Sequence, residues 1–397
     1  MRFGFICFLF ISFAVSGQQN TPAKDPTYYL ENFDFKAIDY TSLDSTSRDY
    51  INAIEHSLYH RFGLAESLLK KVALQTGSPL SKAARHYLLN ELYFWRGKYA
   101  DYVAFSDSIN EKNGEYKLAK SLASYPEVKT RFTADSVLLP VTVRKGGYII
   151  ADVLLNGKPV RLILDSGASF SVIPQKLSDE LKVKYMADMT ILNAVGTTIP
   201  AHVGVLDSLS MGNIHVNNVP VIYTEKSRFL KQQRVDGLLG WDILRKFSYT
   251  TDFNAQTLMI RKPVVDSTAE KNLFGIGFPL MAVQTESGNQ LNMFFDSGSN
   301  SVDLMANGVT KLSDHKTIRR LKAITGIGKT KIGLFHDVKN VTFKVNQTPL
   351  TCERAYLSPL NDWLTLNIRR DGILSNAPFR KGKLTVDYIN NHFDYRE

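Results

Sequence analysis

Two short acidic motifs, each reading Asp-Ser-Gly, stand far apart in the chain and begin at Asp165 and Asp296. Each motif follows an apolar run, residues 162–164 in the first copy and 293–295 in the second, which is typical of a buried strand. An isolated carboxylate is very unfavourable in a protein interior, so each Asp needs a partner or a proton. The small residues that follow allow a close approach of the backbone. The sequence therefore predicts that the two carboxyl groups meet, share one proton and act as general acid and general base.

The two motifs belong to an internal duplication. Their separation, from 165 to 296, is about the size of a domain. Gly157 and Gly288 each lie eight residues before the Asp and predict a hairpin turn into the Asp-bearing strand. An Asp-Gly-apolar-Leu element then follows each motif, at residues 236–239 and 371–374. Further matches pair Arg245-Lys246 with Arg380-Lys381, Thr250 with Thr385, and Asp252-Phe253 with Asp387-Tyr388. Each repeat unit is thus predicted to be a lobe that supplies one carboxyl group.

The chain is too long for one ordinary core, and its texture changes along its length. Residues 18–40 are polar and predict a linker. Residues 41–131 have a helical period, and a Leu-Tyr pair and a Gly recur in them at the spacing typical of tetratricopeptide helical hairpins. Alternating apolar residues then predict strands in two lobes, residues 132–262 and 263–397. The predicted fold class is multidomain α + β, with N-terminal helical hairpins followed by an all-β, two-lobed region.

Two interpretations of the tetratricopeptide-like segment, residues 41–131, are equally consistent with the sequence. The segment could dock a peptide or a partner protein, or it could be a helical cap that packs on the strands. His56 and His60 lie four residues apart in it, a spacing that zinc ligands use. No third ligand is apparent, so the two histidines are interpreted as a solvent-facing pair and no metal is expected.

The first residues are typical of a signal peptide, residues 1–17. Arg2 precedes an apolar run that is too short to span a membrane, and small residues stand before Gln18. The alternative is an uncleaved anchor. We expect an exported protein, periplasmic or secreted, without a membrane span once the signal is removed. Signal removal leaves Cys352 as the single Cys, which is interpreted as a buried structural residue.

Composition and charge argue against several other classes of function. The formal net charge is +10, but no nucleic-acid-binding motif accompanies it, so a solvated basic face is the preferred interpretation. Residues 323–330 fit a relaxed phosphate-loop pattern. The residues that follow alternate like a strand, whereas a phosphate loop needs a helix there, so a glycine-rich hairpin tip is predicted.

With these motifs, about residues 133–397 resemble the retropepsin-like aspartic peptidases, in particular the bacterial exported branch with two lobes fused in one chain. The resemblance rests on the two Asp-Ser-Gly-[Ala/Ser] loops and on the apolar-apolar-Gly element at residues 238–240. It implies a two-lobed aspartic-protease (acid protease) fold and a site that is complete in a monomer. The second lobe departs from the pattern at Ser375, which stands where lobe one has Gly240. If that position needs positive φ or close packing, the Ser would strain or reshape lobe two.

The resemblance implies an aspartic-type endopeptidase, a hydrolase that cleaves the peptide bonds of an extended polypeptide. Water would be activated between Asp165 and Asp296, and no cofactor or metal would be needed. Ser166 and Ser297 would hydrogen-bond across the lobes and keep the catalytic loops rigid. The supporting loop residues are Ser166, Gly167, Ala168, Ser297, Gly298 and Ser299. A glycine-containing flap covers the substrate in the family, and the flap candidates here are Gly196, Gly326 and Gly328.

A second function of a different class stays open at this point, namely a catalytically impaired module that binds peptides in the interlobe cleft and on the helical repeats. Within the peptidase interpretation, residue four of the loop differs between the copies, Ala168 against Ser299. A hydroxyl beside a carboxylate favours the charged form. The sequence therefore predicts that Asp296 ionises more easily, that Asp165 holds the shared proton, and that activity peaks on the acid side of neutral.

Overall fold

The computed structural model describes residues 30, 33–112, 114–192, 197–225, 228–312, 315–326, 329–358 and 369–397. The predicted signal peptide, residues 1–17, lies outside these ranges. The described residues form a helical segment, two β lobes and a sheet to which both lobes contribute. Within the same ranges, no helix combines the length and the apolar character needed to cross a membrane.

Side chains that accept hydrogen bonds from free backbone N–H groups cap the first turns of two helices in the helical segment. The carboxylate of Asp44 accepts hydrogen bonds from the N–H groups of Thr46 at 2.8 Å and Ser47 at 2.9 Å. Ser78 caps a later helix, with Pro79 at its first position. The segment comprises a 3-10 turn (Phe35–Ala37), α-helices Ser45–Leu58, Phe62–Ala73, Pro79–Tyr87, Tyr99–Ser108 and Tyr116–Ala123, and a π-helical stretch (Leu88–Phe94).

The π-helical stretch sets the position of Trp95 at the end of the helix. The N–H group of Trp95 donates to the carbonyl of Asn90 at 2.9 Å, a bond that spans five residues and widens the last turn. Gly97 then adopts φ +76°, which ends the helix and starts the turn to the next one. Trp95 is thereby directed away from the helical core and toward the β lobes.

Lobe one contains the predicted hairpin into the first catalytic loop. Asn156 and Gly157 both have positive φ, 48° and 79°, as a two-residue turn requires. The strands of this part of the chain are β1 (Lys129–Phe132), β2 (Ser136–Pro140), β3 (Thr142–Val143), β4 (Ile149–Leu155), β5 (Lys158–Leu164), β6 (Val172–Pro174), β7 (Lys184–Leu192), β8 (Thr198–Met211), β9 (Ile214–Thr224), β10 (Gly237–Leu239), β11 (Ser248–Asp252) and β12 (Thr257–Arg261). Short helices lie at Gln175–Glu180, Arg228–Gln233 and Trp241–Leu244.

All of these strands except β2, β11 and β12 belong to one nine-stranded sheet. Strand β10 lies at its centre, parallel to β5 with Leu238 opposite Ile163, and antiparallel to β6 with Leu238 opposite Val172. The strands β8 and β9 are the longest of this sheet, and they form one antiparallel hairpin. Valines and isoleucines on both long strands are buried, which explains why pairing continues along them.

Lobe two repeats the central arrangement. Strand β15 is parallel to β20, with Phe294 opposite Ile373. The strands of this part of the chain are β13 (Leu273–Phe274), β14 (Leu280–Thr285), β15 (Gln290–Phe295), β16 (Val302–Leu304), β17 (Lys316–Gly326), β18 (Lys329–Val345), β19 (Thr348–Leu357), β20 (Gly372–Leu374), β21 (Lys383–Asp387) and β22 (His392–Arg396). Short helices lie at Ala306–Thr310 and Ala377–Phe379. The glycine-rich stretch is a hairpin, as predicted, because Gly326 pairs with Lys329.

A third sheet joins the lobes, with strand order β2-β12-β11-β21-β22. The strands β11 and β21 are equivalent in the duplication and pair antiparallel across the interface, with Thr250 opposite Thr385. Their hydroxyl oxygens lie 2.9 Å apart. The approximate two-fold relation between the lobes therefore passes through this pair.

The helical segment packs on both lobes. Phe33 stacks on Phe274 of lobe two with ring centroids 4.9 Å apart, and Phe94 meets Phe170 of lobe one edge-on at 6.1 Å. The side-chain amide of Asn391 donates to the carbonyl of Leu58 at 2.8 Å. The buried residues of the helices form one continuous apolar cluster with both lobes. These contacts favour the cap interpretation, and they leave the docking of a partner protein as a prediction.

Two expectations about single side chains are corrected. His60 is only partly exposed: its ring packs on Tyr388 at 4.3 Å and on Phe62 at 5.2 Å, and burial lowers its pKa to about 4. It stands in the contact between the helices and the third sheet, which explains its apolar surroundings. Cys352 is half-buried in β19 rather than fully buried.

Candidate active site

Asp165 follows the last residue of β5 and lies at the centre of lobe one. Its backbone N–H donates to the carbonyl of Leu239 in β10 at 2.9 Å, which continues the parallel ladder into the loop. The carboxylate accepts hydrogen bonds from the N–H groups of Gly167 at 3.0 Å and Ala168 at 3.2 Å. The loop thus turns its own backbone donors toward the carboxyl group and fixes its orientation.

Asp296 occupies the equivalent place in lobe two. Its N–H donates to the carbonyl of Leu374 at 2.9 Å, and its carboxylate accepts a hydrogen bond from the N–H group of Gly298 at 3.0 Å. Each carboxyl group is therefore held in the same way by its own lobe. The matching bonds follow from the matching sequences, since both loops leave a strand flanked by an apolar-apolar element.

The two loops are locked together by their serines. The hydroxyl of Ser166 donates to the carbonyl of Phe295 at 2.7 Å and accepts from the N–H of Ser297 at 3.0 Å. The hydroxyl of Ser297 donates to the carbonyl of Leu164 at 2.8 Å and accepts from the N–H of Ser166 at 2.9 Å. All four bonds are buried and span both lobes, so the two loops have one rigid relative position.

The glycine of each loop lies directly against the carboxyl group of the other lobe. A Cβ atom on Gly167 would stand 2.4 Å from Oδ1 of Asp296, and one on Gly298 would stand 2.3 Å from Cγ of Asp165. Neither glycine has positive φ, so lack of space and not backbone conformation excludes a side chain there. The two carboxyl groups hydrogen-bond to each other in the space that these glycines leave.

Burial controls the ionisation of this pair. It raises the pKa of Asp165 to about 6, although the N–H donors of Gly167 and Ala168 act in the opposite direction. Burial also raises the pKa of Asp296, and the charge of the neighbouring Asp165 raises it further, well above its usual value. The coupled groups therefore titrate in two steps, and between these steps the pair holds one proton.

The predicted role of the Ser299 hydroxyl is wrong. Its oxygen lies 3.4 Å from both the carbonyl oxygen and the N–H nitrogen of Ser301 and is directed along its own loop. The carboxylate of Asp165, moreover, accepts two backbone N–H bonds within hydrogen-bond geometry. The charge of Asp165 adds to burial in raising the pKa of Asp296, so the asymmetry is the reverse of the prediction and Asp296 is favoured as the holder of the proton.

Of the three flap candidates, only Gly326 lies in the described residues. Gly196 lies outside the described residues, between β7 and β8, and Gly328 lies outside them between β17 and β18. The backbone of Gly326 belongs to the last pair of the β17–β18 hairpin. Both hairpins exist as predicted, and their role as flaps stays a prediction.

The departure at Ser375 is accommodated without positive φ. Its equivalent Gly240 has φ −81° and ψ 175°, a conformation open to any residue. In lobe one a Cβ on Gly240 would lie 2.4 Å from the carbonyl carbon of Phe170. In lobe two Ser375 is fully buried and its hydroxyl accepts the N–H of Ala377 at 3.2 Å. The Ser is thus part of a local turn and does not displace the Asp296 loop from its bonds.

Two residues beside the dyad have no motif of their own in the sequence. Tyr148 is buried, and its pKa is raised to about 12 by burial and by the charges of Asp296 and Asp165. Asn376 donates to the carbonyl of Gly147 at 3.1 Å and so connects lobe two to the loop before Tyr148. The only sequence signal for either residue was its position. Tyr148 comes directly before β4, and Asn376 comes directly after the apolar element of β20.

Comparison with known proteins gives a match to part of lobe one. A family model described as aspartyl protease matches residues 151–243, which begin in β4, include the Asp165 loop and end in helix Trp241–Leu244. Among solved structures, the chain is similar to a retropepsin-like aspartic protease from Rickettsia conorii, at 17% identity. That similarity covers 35% of this chain and 97% of that chain, with a TM-score of 0.24. No curated protein matches the chain. The family match supports an aspartic protease, and it lies wholly in lobe one.

Proposed function

We propose that this protein is a retropepsin-like aspartic peptidase whose single site lies between the two lobes. The observation that carries the proposal is the reciprocal bonding of Ser166 and Ser297, which presses Gly167 and Gly298 against opposite carboxyl groups. Two buried carboxyl groups that share one proton can polarise a carbonyl and activate water at the same time. The match of lobe one to an aspartyl protease family supports this assignment.

In the proposed mechanism the ionised carboxylate, favoured at Asp165, accepts a proton from a water molecule held between the two groups. The protonated carboxyl group, favoured at Asp296, donates a hydrogen bond to the oxygen of the scissile carbonyl. The water oxygen attacks the carbonyl carbon, and a tetrahedral intermediate forms without a covalent bond to the protein. Its collapse transfers a proton to the leaving amine, and the dyad returns to its single-proton state.

The substrate class in this proposal is an extended polypeptide. Strand-like peptides bind through main-chain hydrogen bonds, and the hairpins β7–β8 and β17–β18 are the elements that could offer such bonds above the dyad. The alternative of an impaired peptide-binding module is not favoured, because both carboxyl groups keep their hydrogen-bonded places.

Hydrolysis of a casein digest or a mixed peptide library tests the proposal. We expect wild-type protein to release new peptide amino termini, and Asp165→Asn and Asp296→Asn each to lose at least about 10³-fold of that rate. Circular dichroism serves as the fold control for both variants. Peptide hydrolysis that survives either substitution in a folded protein would contradict a shared dyad. Binding of peptides without any hydrolysis by the wild type would favour the impaired module.

Export of the chain is a separate part of the proposal. Residues 1–17 have the composition of a cleaved signal, and a peptidase kept outside the cytoplasm would meet extracytoplasmic polypeptides. Amino-terminal sequencing of the protein from fractionated cells tests this part. A mature chain that starts near Gln18 in a non-cytoplasmic fraction is expected, and an intact amino terminus in the cytoplasm would contradict it.

A further inference from the structure

The duplication provides two equivalent corners beside the dyad, and they differ. The hairpins β3–β4 and β13–β14 have the same register, with Val143 opposite Ile149 and Phe274 opposite Leu280. The offset between these pairs is the same as the offset between the two catalytic Asp residues. Their turns, residues 144–148 and 275–279, are therefore equivalent. Each turn stands beside the catalytic loop of the other lobe, so a substrate that runs straight across the two-fold relation passes one corner on each side of the scissile bond.

Both corners adjoin the carboxyl groups. In one, Phe278 packs edge-on against Phe294 at 5.7 Å, and Phe294 precedes Asp296 by two residues on the same strand face. In the other, Tyr148 lies close enough to both carboxyl groups for their charges to act on its phenol. The two turns thus lie next to the segments that carry the dyad, since a Cβ on Gly146 would also stand 2.8 Å from Asn300 of the Asp296 loop.

The equivalent arginines make equivalent bonds at the two corners. Arg245 of lobe one donates to the carbonyl of Ile276 in lobe two at 2.8 Å. Arg380 of lobe two donates to the carbonyl of Lys145 in lobe one at 2.6 Å. Because the pairs match in sequence and in geometry, the lobes alone would build two similar corners, and the helical segment is the element that makes them differ.

The corner at Gly277 is filled by Trp95. The indole ring lies between Phe170 of lobe one and Phe278 of lobe two, with centroid distances of 5.6 Å and 5.7 Å. A Cβ on Gly277 would stand 2.8 Å from the indole, so the ring rests directly on that backbone. Phe170 follows Asp165 by five residues and is 7% exposed. The helical segment therefore occupies this end of the cleft.

The corner at Gly146 has small and polar side chains in place of an indole, and a Cβ on Gly146 would stand 2.8 Å from Cβ of Asn300. Ser301 is the equivalent of Phe170, and it is small and partly exposed. The neighbouring Asn300, Lys145 and Arg380 are all exposed to solvent. The side chains that bond to this turn, Asn376 and Arg380, come from lobe two and not from the helices. Among the residues that the structure describes, this end of the cleft therefore has no equivalent of the Trp95 ring.

Hydrogen bonds between the helical segment and both lobes hold Trp95 at its corner. The second nitrogen of the Arg245 guanidinium donates to the carbonyl of Trp95. Glu91, four residues earlier, accepts the backbone N–H of Gly277. Lobe one, lobe two and the helical segment thus meet at one buried junction. A wall fixed in this way is part of the folded site and differs from a lid that opens on a loop.

We propose that the helical segment, through Trp95, closes one end of the substrate cleft, so that the peptidase accepts only a few residues on that side of the scissile bond. Substrates would be cut near one terminus, or would be short peptides, while the other side stays open to longer chains. This inference rests on the proposed peptidase function. An extended chain advances about 3.3 Å per residue, so added residues soon reach a fixed wall.

Two series of internally quenched peptides test the inference on the wild-type protein. In each series one side of the scissile bond is fixed and the other grows from about two to about eight residues. We expect kcat/KM to fall at least about tenfold beyond a limiting length on one side only. Equal tolerance on both sides, or a limit on both sides, would overturn the inference. A lack of cleavage of every peptide, including the shortest, would instead contradict the proposed function itself.

Substitution of Trp95 identifies the wall. Trp95→Ala should restore cleavage of the long peptides to within about threefold of the short ones, while Trp95→Phe, which retains a ring, should restore it only in part. Thermal unfolding reports whether the variants are folded. A folded Trp95→Ala protein that keeps the full length limit would overturn the assignment to Trp95. The wild-type length series does not depend on the folding of either variant.

Discussion

The substitution Gly298→Ala should disable the site by displacing a carboxyl group that belongs to the other lobe. The added methyl group would stand 2.3 Å from Cγ of Asp165, whereas ordinary contacts begin at 3.4 Å. The Asp165 carboxyl group must therefore retreat by about 1 Å, the difference between these two distances. It cannot do so freely, because the N–H groups of Gly167 and Ala168 hold it. A misplacement of about 1 Å typically lowers a catalytic rate about 100-fold, and we expect a loss of that order in kcat.

The same overpacking should lower the free energy of unfolding by about 1–3 kcal/mol. The assay compares kcat for a short quenched peptide with urea unfolding of the same protein. Gly63→Ala is the matched control, because Gly63 lies in helix Phe62–Ala73 with no atom within 4 Å of the added Cβ. We expect unchanged activity and a gain in stability of up to about 1 kcal/mol from that control. If Gly298→Ala kept the kcat of the wild type, the close packing of Gly298 against the Asp165 carboxyl group would be refuted.

Three further predictions follow from ionisation and from the fusion of the lobes. Because the dyad acts with one proton, kcat/KM should rise with pH through about 6, the pKa of Asp165, and fall again at higher pH as Asp296 ionises. A maximum below about pH 5 would contradict this. Burial raises the pKa of Glu91 from 4.5 to about 7, so the folded state holds a proton that the unfolded state releases. This contribution to stability is present below pH 4.5 and is lost as pH rises through about 7. The free energy of unfolding of the wild type should therefore fall by roughly 3 kcal/mol between these pH values, and Glu91→Gln should not show that fall. An unchanged dependence on pH in the variant would refute this prediction. Because both loops belong to one chain, activity per molecule should be constant on dilution, and a loss would indicate pairing between chains.

The catalytic loops could be predicted because their information is local. Two copies of Asp-Ser-Gly after an apolar run, with Gly157 and Gly288 at the same distance before them, define both the hairpins and the paired carboxyl groups. The positive φ of Asn156 and Gly157 is the kind of feature that residue type alone reveals.

The finer electrostatics could not be predicted from residue types. The sequence places a hydroxyl at Ser299, but its direction depends on the path of the following turn, which leads it to the backbone of Ser301. The burial that raises the pKa of both carboxyl groups comes from the packing of the two lobes against each other. Both quantities depend on tertiary structure, and neither leaves a pattern in the sequence.

The role of the helical segment was hidden for a different reason. Trp95 lies far from Phe170 in the chain and farther still from Phe278, and no spacing rule connects them. A helical period reports which helix face is apolar, but it does not report what covers that face. The π-helical turn that redirects Trp95 also has no sequence signature of its own. The position of Trp95 at this corner therefore depends on how the helices pack against both lobes, which no local sequence pattern encodes.

The crossed serine bonds have a consequence for the order of events during biosynthesis. Ser166 can finish its hydrogen bonding only with Phe295 and Ser297, which are separated from it by most of a lobe and are made later. At translation rates of about 5–20 residues per second, the first loop waits roughly 7–26 s for its partner. Until then a nascent chain has one unsupported carboxyl group and no acid–base pair. If the protein is the proposed peptidase, its activity would begin only when the fold is complete, and the emerging chain and its neighbours would be protected from premature cleavage.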